Sequence, residues 1–315
     1  MRSIGIDVGG TKVLGILLDR DHPLDQLAED RVPTPEGGDG LVEVIGDLAD
    51  RVGPDAPAIG VGIPGLVNRR GQMIMGPHLR KLRNVDLMEL IRERTGRATV
   101  VVDNDANCAA LGEQRAGAAR GFADALVVTL GTGIGAGMVV DGRLVHGAAG
   151  FAGEAGHMVI DANGPPCPCG KRGCWERFAS GTGLGRLARD AANGGRLDAA
   201  VELAGGDPEA VRGEHVTAAA RAFDPDAQAV IGELAHWIAL GLANLVNILD
   251  PGIIVIGGGL VEAADLILPP VRTQFLELVM AGGLRPEIPI VAAELGEKAG
   301  AIGASLLAAE VAAET

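Results

Sequence analysis

The chain carries an internal repeat. Shifted by 122 residues, IDVGGTKVLGILLD from Ile6 to Asp19 falls on VTLGTGIGAGMVVD from Val128 to Asp141. Gly9 lands on Gly131, Gly15 on Gly137 and Asp19 on Asp141, and apolar positions match throughout. Each copy sets two apolar runs around a polar, glycine-rich turn, the pattern of strand, tight turn, strand. Such a duplication in a chain of 315 residues predicts two similar domains, each large enough to bury its own core. The expected division is an N-terminal domain over 1–120 and a C-terminal domain over 121–315.

Both turns suit a phosphate. Gly9 and Gly10 let the backbone approach a ligand closely, Thr11 and Lys12 offer a hydroxyl and a cation, and Asp7 offers a carboxylate to a metal ion, directly or through water. A plain hairpin closed by Gly-Gly would also explain the first copy. It is not a Walker loop, because the G-x-x-x-x-G-K-[ST] spacing is missing and the turn leads into a second strand. In the second copy, glycine amides and the Thr132 hydroxyl make the same offer. Gly131, Gly133 and Ala136 also match a dinucleotide fingerprint, but MVVDGRLV continues as a strand and opens no βαβ unit.

Residues 154–176 read EAGHMVIDANGPPCPCGKRGCWE and hold three of the four cysteines in the chain. His157, Cys167, Cys169 and Cys174 form a Cys3His set, the donors that tetrahedral zinc takes in closed structural sites. Pro165, Pro166 and Pro168 stiffen this loop, while glycines allow the turns that bring near neighbours onto one ion. A disulfide or free thiols is the plainer alternative; a cysteine-poor chain without an export signal favours the metal. Four protein ligands leave no open position, so the expected role is structural.

Residues 41–52 and 85–95 read as helices, AIGVGIPGLVN from Ala58 as a strand ending in a Pro-Gly turn, and ATVVVDNDANCAALGEQRAG from Ala98 as a strand running into a helix. Asp103, Asn104 and Asp105 fall where that strand ends, well placed to face a ligand crevice. Helix capping would use one such residue, and three in a row exceed that need. Residues 226–249 read as a long apolar helix. DPGIIVIGGGLVEAAD then reads as a strand, a turn at Gly257, Gly258 and Gly259, and a helix; an Ala-rich helix ends the chain. The net charge of −14 argues against a nucleic-acid surface, and RKLR at Arg80 to Arg83 is too short for a basic stripe. The start shows no leader pattern and no apolar run looks long enough to span a bilayer, so a cytoplasmic protein is expected.

Taken in order, IDVGGTK, GIPG, DNDANCAALGE, LGTGIG, GEAGHM, CPCGKRGCWE and IGGG resemble the sugar kinases of the ROK group (repressor, open reading frame, kinase), most of all its bacterial ATP-dependent glucokinases. The resemblance covers nearly the whole chain. It implies an α/β architecture of two ribonuclease-H-like domains of the actin and hexokinase type, with sugar and ATP in an interdomain cleft. It further implies transfer of the γ-phosphate of ATP to the 6-hydroxyl of glucose. Asp105 would be the catalytic base; Asn104, Gly65, Glu154, His157 and Glu176 would lie on the sugar side. Asp7, Gly9, Gly10, Thr11, Lys12, Thr132 and Gly133 would line the phosphate and Mg2+, with Gly258 and Gly259 near adenine and ribose. A homodimer or homotetramer, without nucleic-acid or membrane partners, is also implied. The family's repressors carry a helix-turn-helix before the first strand, and here that strand starts within a few residues of Met1. Many family glucokinases have Asn-Leu followed by Trp where this chain reads GPHLRKL, with His78 and Leu82 at the corresponding places. The preferred sugar (glucose, N-acetylglucosamine, N-acetylmannosamine or fructose) and the donor (ATP or polyphosphate) stay open at this level.

Overall fold

The computed structural model describes residues 1–76 and 79–314; His78 lies outside them. Among the described residues twelve strands run in chain order as β1 Arg2–Val8, β2 Lys12–Asp19, β3 His22–Pro33, β4 Ala58–Ile63, β5 Leu66–Val67, β6 Met73–Met75, β7 Thr99–Asn104, β8 Ala125–Leu130, β9 Ile134–Val140, β10 Arg143–Leu144, β11 Ile253–Gly257 and β12 Ile290–Ala292. The α-helices are α1 Leu41–Val52, α2 Leu87–Thr95, α3 Asp105–Ala116, α4 Glu176–Ala179, α5 Gly181–Asn193, α6 Asp198–Leu203, α7 Gly213–Arg221, α8 Pro225–Leu249, α9 Ala264–Leu278 and α10 Ala299–Glu314.

The repeat survives as topology. One five-stranded sheet has the order β3-β2-β1-β4-β7 and the other β10-β9-β8-β11-β12, so each reads third, second, first, fourth, fifth of its own strands. β1 pairs antiparallel with β2 and parallel with β4, and β4 pairs parallel with β7, which makes the first glycine turn a hairpin. Two compact units divide the chain. One comprises Met1–Val127, Ala136–Gly153 and Ala293–Thr315; the other comprises Val128–Gly135 and Glu154–Ala292.

In the first unit the strand period of two separates two kinds of face. Ile4, Ile6, Ile59, Val61 and Ile63 enter a core shared with Leu41, Ile45 and Leu48 of α1 and with Leu87 and Ile91 of α2. The opposite face is nearly bare: Gly5 on β1, Gly60 and Gly62 on β4. Onto it α10 lies so closely that a Cβ at Gly5 or Gly60 would sit 1.8 Å from the carbonyl oxygen of Ala301 or Ala304. α10 approaches α3 in the same way, since a Cβ at Gly303 would fall 1.6 Å from the Cys108 carbonyl oxygen. Ser3 and Ser305 lock the contact; each hydroxyl donates to the other's backbone carbonyl, at 2.9 and 3.0 Å, and the two oxygens lie 2.7 Å apart. At the end of α3 the buried carboxylate of Glu113 accepts from the backbone N–H groups of Ala118, Glu294 and Leu295, which fixes the turn leading into α10.

In the second unit α8 is long and apolar enough to cross a bilayer, contrary to the expectation that no run reaches that length. Most of its apolar window is buried within the protein, the pattern of a core helix. Leu82 likewise joins the hydrophobic core of the first unit.

The close seat of α10 makes a prediction. Gly60→Ala is expected to destabilise the protein by about 3 kcal/mol in denaturant titrations followed by circular dichroism, since the helix must back away. Gly232→Ala in α8, where a Cβ meets no atom within 4 Å, should instead be neutral or gain up to about 1 kcal/mol.

Candidate functional site

Strand register brings three carboxylates to one corner of the first unit. Asp7 lies beside Gly62 and Gly62 beside Asp103, across the carboxyl ends of β1, β4 and β7. Asp105, the first residue of α3, lies over the bare Gly62, whose added Cβ would sit 3.5 Å from the Asp105 Cα. The alternation that puts Ser3 and Gly5 against α10 also directs Asp7 there, with its Oδ1 against Gly300 in the first turn of that helix.

Each carboxylate has a different environment. Burial raises Asp7 from the ordinary carboxylate range to about 7; the charge on Asp105 adds to the rise and Lys12 opposes it. Burial also raises Asp105, against backbone bonds at the start of α3 and a bond from the Asn104 side chain that favour the anion. Asp103 is buried and saturated. Its Oδ1 accepts from the Asn104 N–H at 2.7 Å and from Asn107 Nδ2 at 3.0 Å, and its Oδ2 lies 2.6 Å from His146 Nε2. Asn104 is the N-cap of α3, accepting from the N–H groups of Ala106 and Asn107, and its Nδ2 donates to the Gly65 carbonyl at 3.2 Å. Of the run Asp103-Asn104-Asp105, capping therefore accounts for Asn104 and an ion pair for Asp103. Asp105 keeps a basic carboxylate.

The first glycine turn is closed by a bond from the Gly9 N–H to the Lys12 carbonyl at 2.9 Å and held by Thr34, whose hydroxyl donates to the Gly9 carbonyl at 2.7 Å. Gly10 and Thr11 are exposed. Lys12 pairs with Glu297, which also binds Arg31 at 3.1 Å. Thr34 and Glu297 are far from the motif in sequence, and no local pattern pointed to them.

In the second unit, the turn at Gly131 to Gly133 is fixed by the start of α5. The Gly181 N–H donates to the Gly131 carbonyl at 2.8 Å and the Thr182 hydroxyl to the Thr132 carbonyl at 2.7 Å. Gly133 faces Glu176, since a Cβ there would sit 2.7 Å from Glu176 Oε2. Gly258, at φ +82, backs onto Leu130, where an added Cβ would lie 2.6 Å from the backbone, and Gly259 is open.

His157, Cys167, Cys169 and Cys174 converge, their ligand atoms all within 4.8 Å of one another. Cys169 Sγ and Cys174 Sγ are 3.6 Å apart, and Cys167 Sγ is 3.8 Å from His157 Nδ1. A tetrahedral zinc, with bonds of about 2.3 Å to sulfur and about 2.0 Å to nitrogen, spans ligand edges of about 3.5 to 3.8 Å, so the set fits that ion. The cysteines are free thiols, not disulfides. Burial raises the Cys167 and Cys174 thiols, so thiolates here call for a cation. His157 turns Nδ1 to the sulfurs and Nε2 toward Glu154, 3.9 Å away. Glu176 Oε1 accepts from the Cys167 thiol at 3.1 Å and lies 3.7 Å from His157 Nδ1. The loop is braced by the buried Trp175, whose Nε1 donates to the Trp237 carbonyl at 2.7 Å and whose ring lies over Gly241, where an added Cβ would fall 2.0 Å away.

The sequence profile of the ROK family matches residues 3–311. The chain belongs to the ROK family. A glucokinase of Streptomyces coelicolor is 39% identical over 98% of both chains. The crystal structure of a ROK family glucokinase from Streptomyces griseus in complex with glucose and AMPPNP superimposes with a TM-score of 0.86 at 37% identity, over 98% of this chain and 100% of that one. A xylose repressor of Bacillus spizizenii is 30% identical over 98% of this chain and 77% of its own. The fold is thus the mixed α/β, actin- and hexokinase-like fold of ROK proteins.

The metal cluster generates a prediction through fluorescence. The chain has two tryptophans and no tyrosine, and Trp237 stacks on Phe178 at 4.4 Å, beside the Trp175 that adjoins Cys174. Intrinsic emission therefore reports this loop and the part of α8 on which it packs. We expect about one zinc per purified chain, and removal by a strong chelator should shift the emission and lower thermal stability. Metal-free protein with unchanged emission and stability would contradict the cluster's role.

Proposed function

We propose that the chain is an ATP-dependent sugar kinase that transfers the γ-phosphate to the 6-hydroxyl of glucose, with Asp105 as general base. The observation that carries this reading is Asp105 itself: a carboxylate opening a helix, its basicity raised by burial, in a ROK chain similar to glucokinases. As the O6–P bond forms, the O6 proton passes to the Asp105 carboxylate and the bond from phosphorus to the bridging oxygen breaks, releasing ADP. Such transfer asks mainly for positioning and charge stabilisation. Gly9, Gly10, Thr11 and Lys12, with Thr132 and Gly133, line the phosphates in this reading, and Gly258 and Gly259 adjoin adenine and ribose. Lys12 exchanges Glu297 for phosphate, an inexpensive change because both side chains are about half exposed, at 46% and 48%.

Mg2+ brought with ATP neutralises phosphate charge. Asp7, a buried carboxylate that is costly to ionise alone, would hold it directly or through water. Asn104, Gly65, Glu154, His157 and Glu176 serve the sugar. His157, Cys167, Cys169 and Cys174 would hold zinc, and His157 bound through Nδ1 would keep Nε2, on the Glu154 side, for a sugar hydroxyl. The exposed apolar side chains Ile248, Leu276, Met280 and Leu284 near the ends of α8 and α9 support a homo-oligomer, and the cytoplasm is the compartment proposed for it.

Asp105→Asn tests the base. It should fold and bind glucose within a few-fold of the parent, yet lose kcat by about three orders of magnitude in coupled ADP-release assays. Retained turnover would remove Asp105 from the chemistry.

A further inference from the structure

Three carboxylates meet at the end of β1, β4 and β7, and a like-charged cluster in a partly buried corner is unfavourable unless cations neutralise it. Lys12 acts on Asp7. Asp103 has its own cation-forming partner in His146, 43 residues away, at 2.6 Å. The Asp103 side chain is 8% exposed and the His146 side chain 30%, so the pair reaches from the core to the rim. Asp103 in turn holds the Asn104 N–H and the Asn107 amide, the two residues that flank and cap the start of α3 around Asp105. The Asn107 Oδ1 is buried without a partner, so its amide is oriented by the single bond that Nδ2 makes to Asp103.

We propose that His146, acting through Asp103, is a positioning residue for Asp105: it neutralises the neighbouring carboxylate and fixes the corner of β7 and α3 from which the base projects. The role rests on the kinase reading above. His146 itself contacts no reacting atom in this account. The charged groups facing it are Asp103 from β7 and Arg69 from the loop after β5, whose Nε donates to the Gly147 carbonyl at 2.6 Å. Behind Asp103 stand Asp105 and Asp7, and α10 turns glycines and alanines to this region. The bond to Asp103 is the largest influence on the His146 ring and raises it above the ordinary imidazole range, against partial burial and Arg69.

Three variants test the inference with glucose, magnesium and ATP. His146→Leu should lower kcat by about 100-fold while KM for glucose and ATP moves by no more than about twofold, because the base is displaced in the transition state and ground-state binding persists. His146→Arg, which keeps the cation, should recover most of that loss; His146→Gln, which keeps only a hydrogen bond, should recover less. A kcat unchanged in the Leu variant, or an Arg variant no better than Leu, would overturn the role. A fourth measurement does not depend on turnover: NMR titration of the His146 imidazole, assigned by the Gln variant. It should show a pKa above the ordinary value that falls in Asp103→Asn. Titration in the ordinary range in both proteins would refute the ion pair, even if the parent failed to phosphorylate glucose and the kinase reading itself fell.

Discussion

The approach of α10 to the bare face of β1 and β4 is the contact on which the first unit depends. Close-packed interiors normally need side chains to fill the space between a helix and a sheet. Here the sheet gives up its side chains at Gly5 and Gly60, so helix carbonyls rest almost on the strand backbone. One consequence is chemical. Along the same face β1 presents Ser3, Gly5 and Asp7 in turn, and α10 meets them with Ser305, Ala301 and Gly300. The packing that stabilises the unit also sets the depth and orientation of Asp7, and Gly62 on the adjoining strand opens the space that Asp105 occupies.

Electrostatics then distinguishes otherwise similar residues. Asp7, Asp103 and Asp105 share one corner, but only Asp103 has a tightly bonded cationic partner. Asp7 faces a helix start and an exposed lysine that Glu297 also binds, an arrangement suited to a mobile counter-charge. Asp105 opens a helix whose first N–H groups favour its anion, and burial raises its basicity against them. In the second unit a different constraint serves a similar end. The stretch between the 3-10 turn Ala155–His157 and α4 is held by four metal-type ligands and by Trp175 buried over Gly241, which orders His157 and Glu176.

Local patterns in the sequence revealed what depends on local chemistry. Apolar runs around the glycine-rich turns pointed to both hairpins, the repeat to two similar domains, and the clustered His and Cys donors to a group of metal-type ligands. The run at Asp103 to Asp105 marked a corner where three carboxylates gather. Its division of labour was hidden, because Asn104 caps a helix while Asp103 answers a histidine placed beside it only by the return of β10. Gly5 and Gly60 look like weak strand residues until α10, nearly 300 residues on in one case, is found against them. Thr34, Glu297 and the start of α5 escaped notice for the same reason: each acts across a contact that strand order creates. The long α8 misled in the other direction, since apolar length is shared by membrane spans and core helices.

The most direct test of the account is product formation by the unmodified protein. Purified chain given magnesium and ATP would be offered glucose, N-acetylglucosamine, N-acetylmannosamine, mannose and fructose in turn, with ADP release and phosphorus NMR of the products as readouts. Glucose should give the highest kcat/KM, with the 6-phosphate as its product. Preference for an N-acetyl sugar would contradict the substrate assignment, and absence of turnover with every sugar, in protein that retains its metal and fold, would contradict the kinase assignment itself.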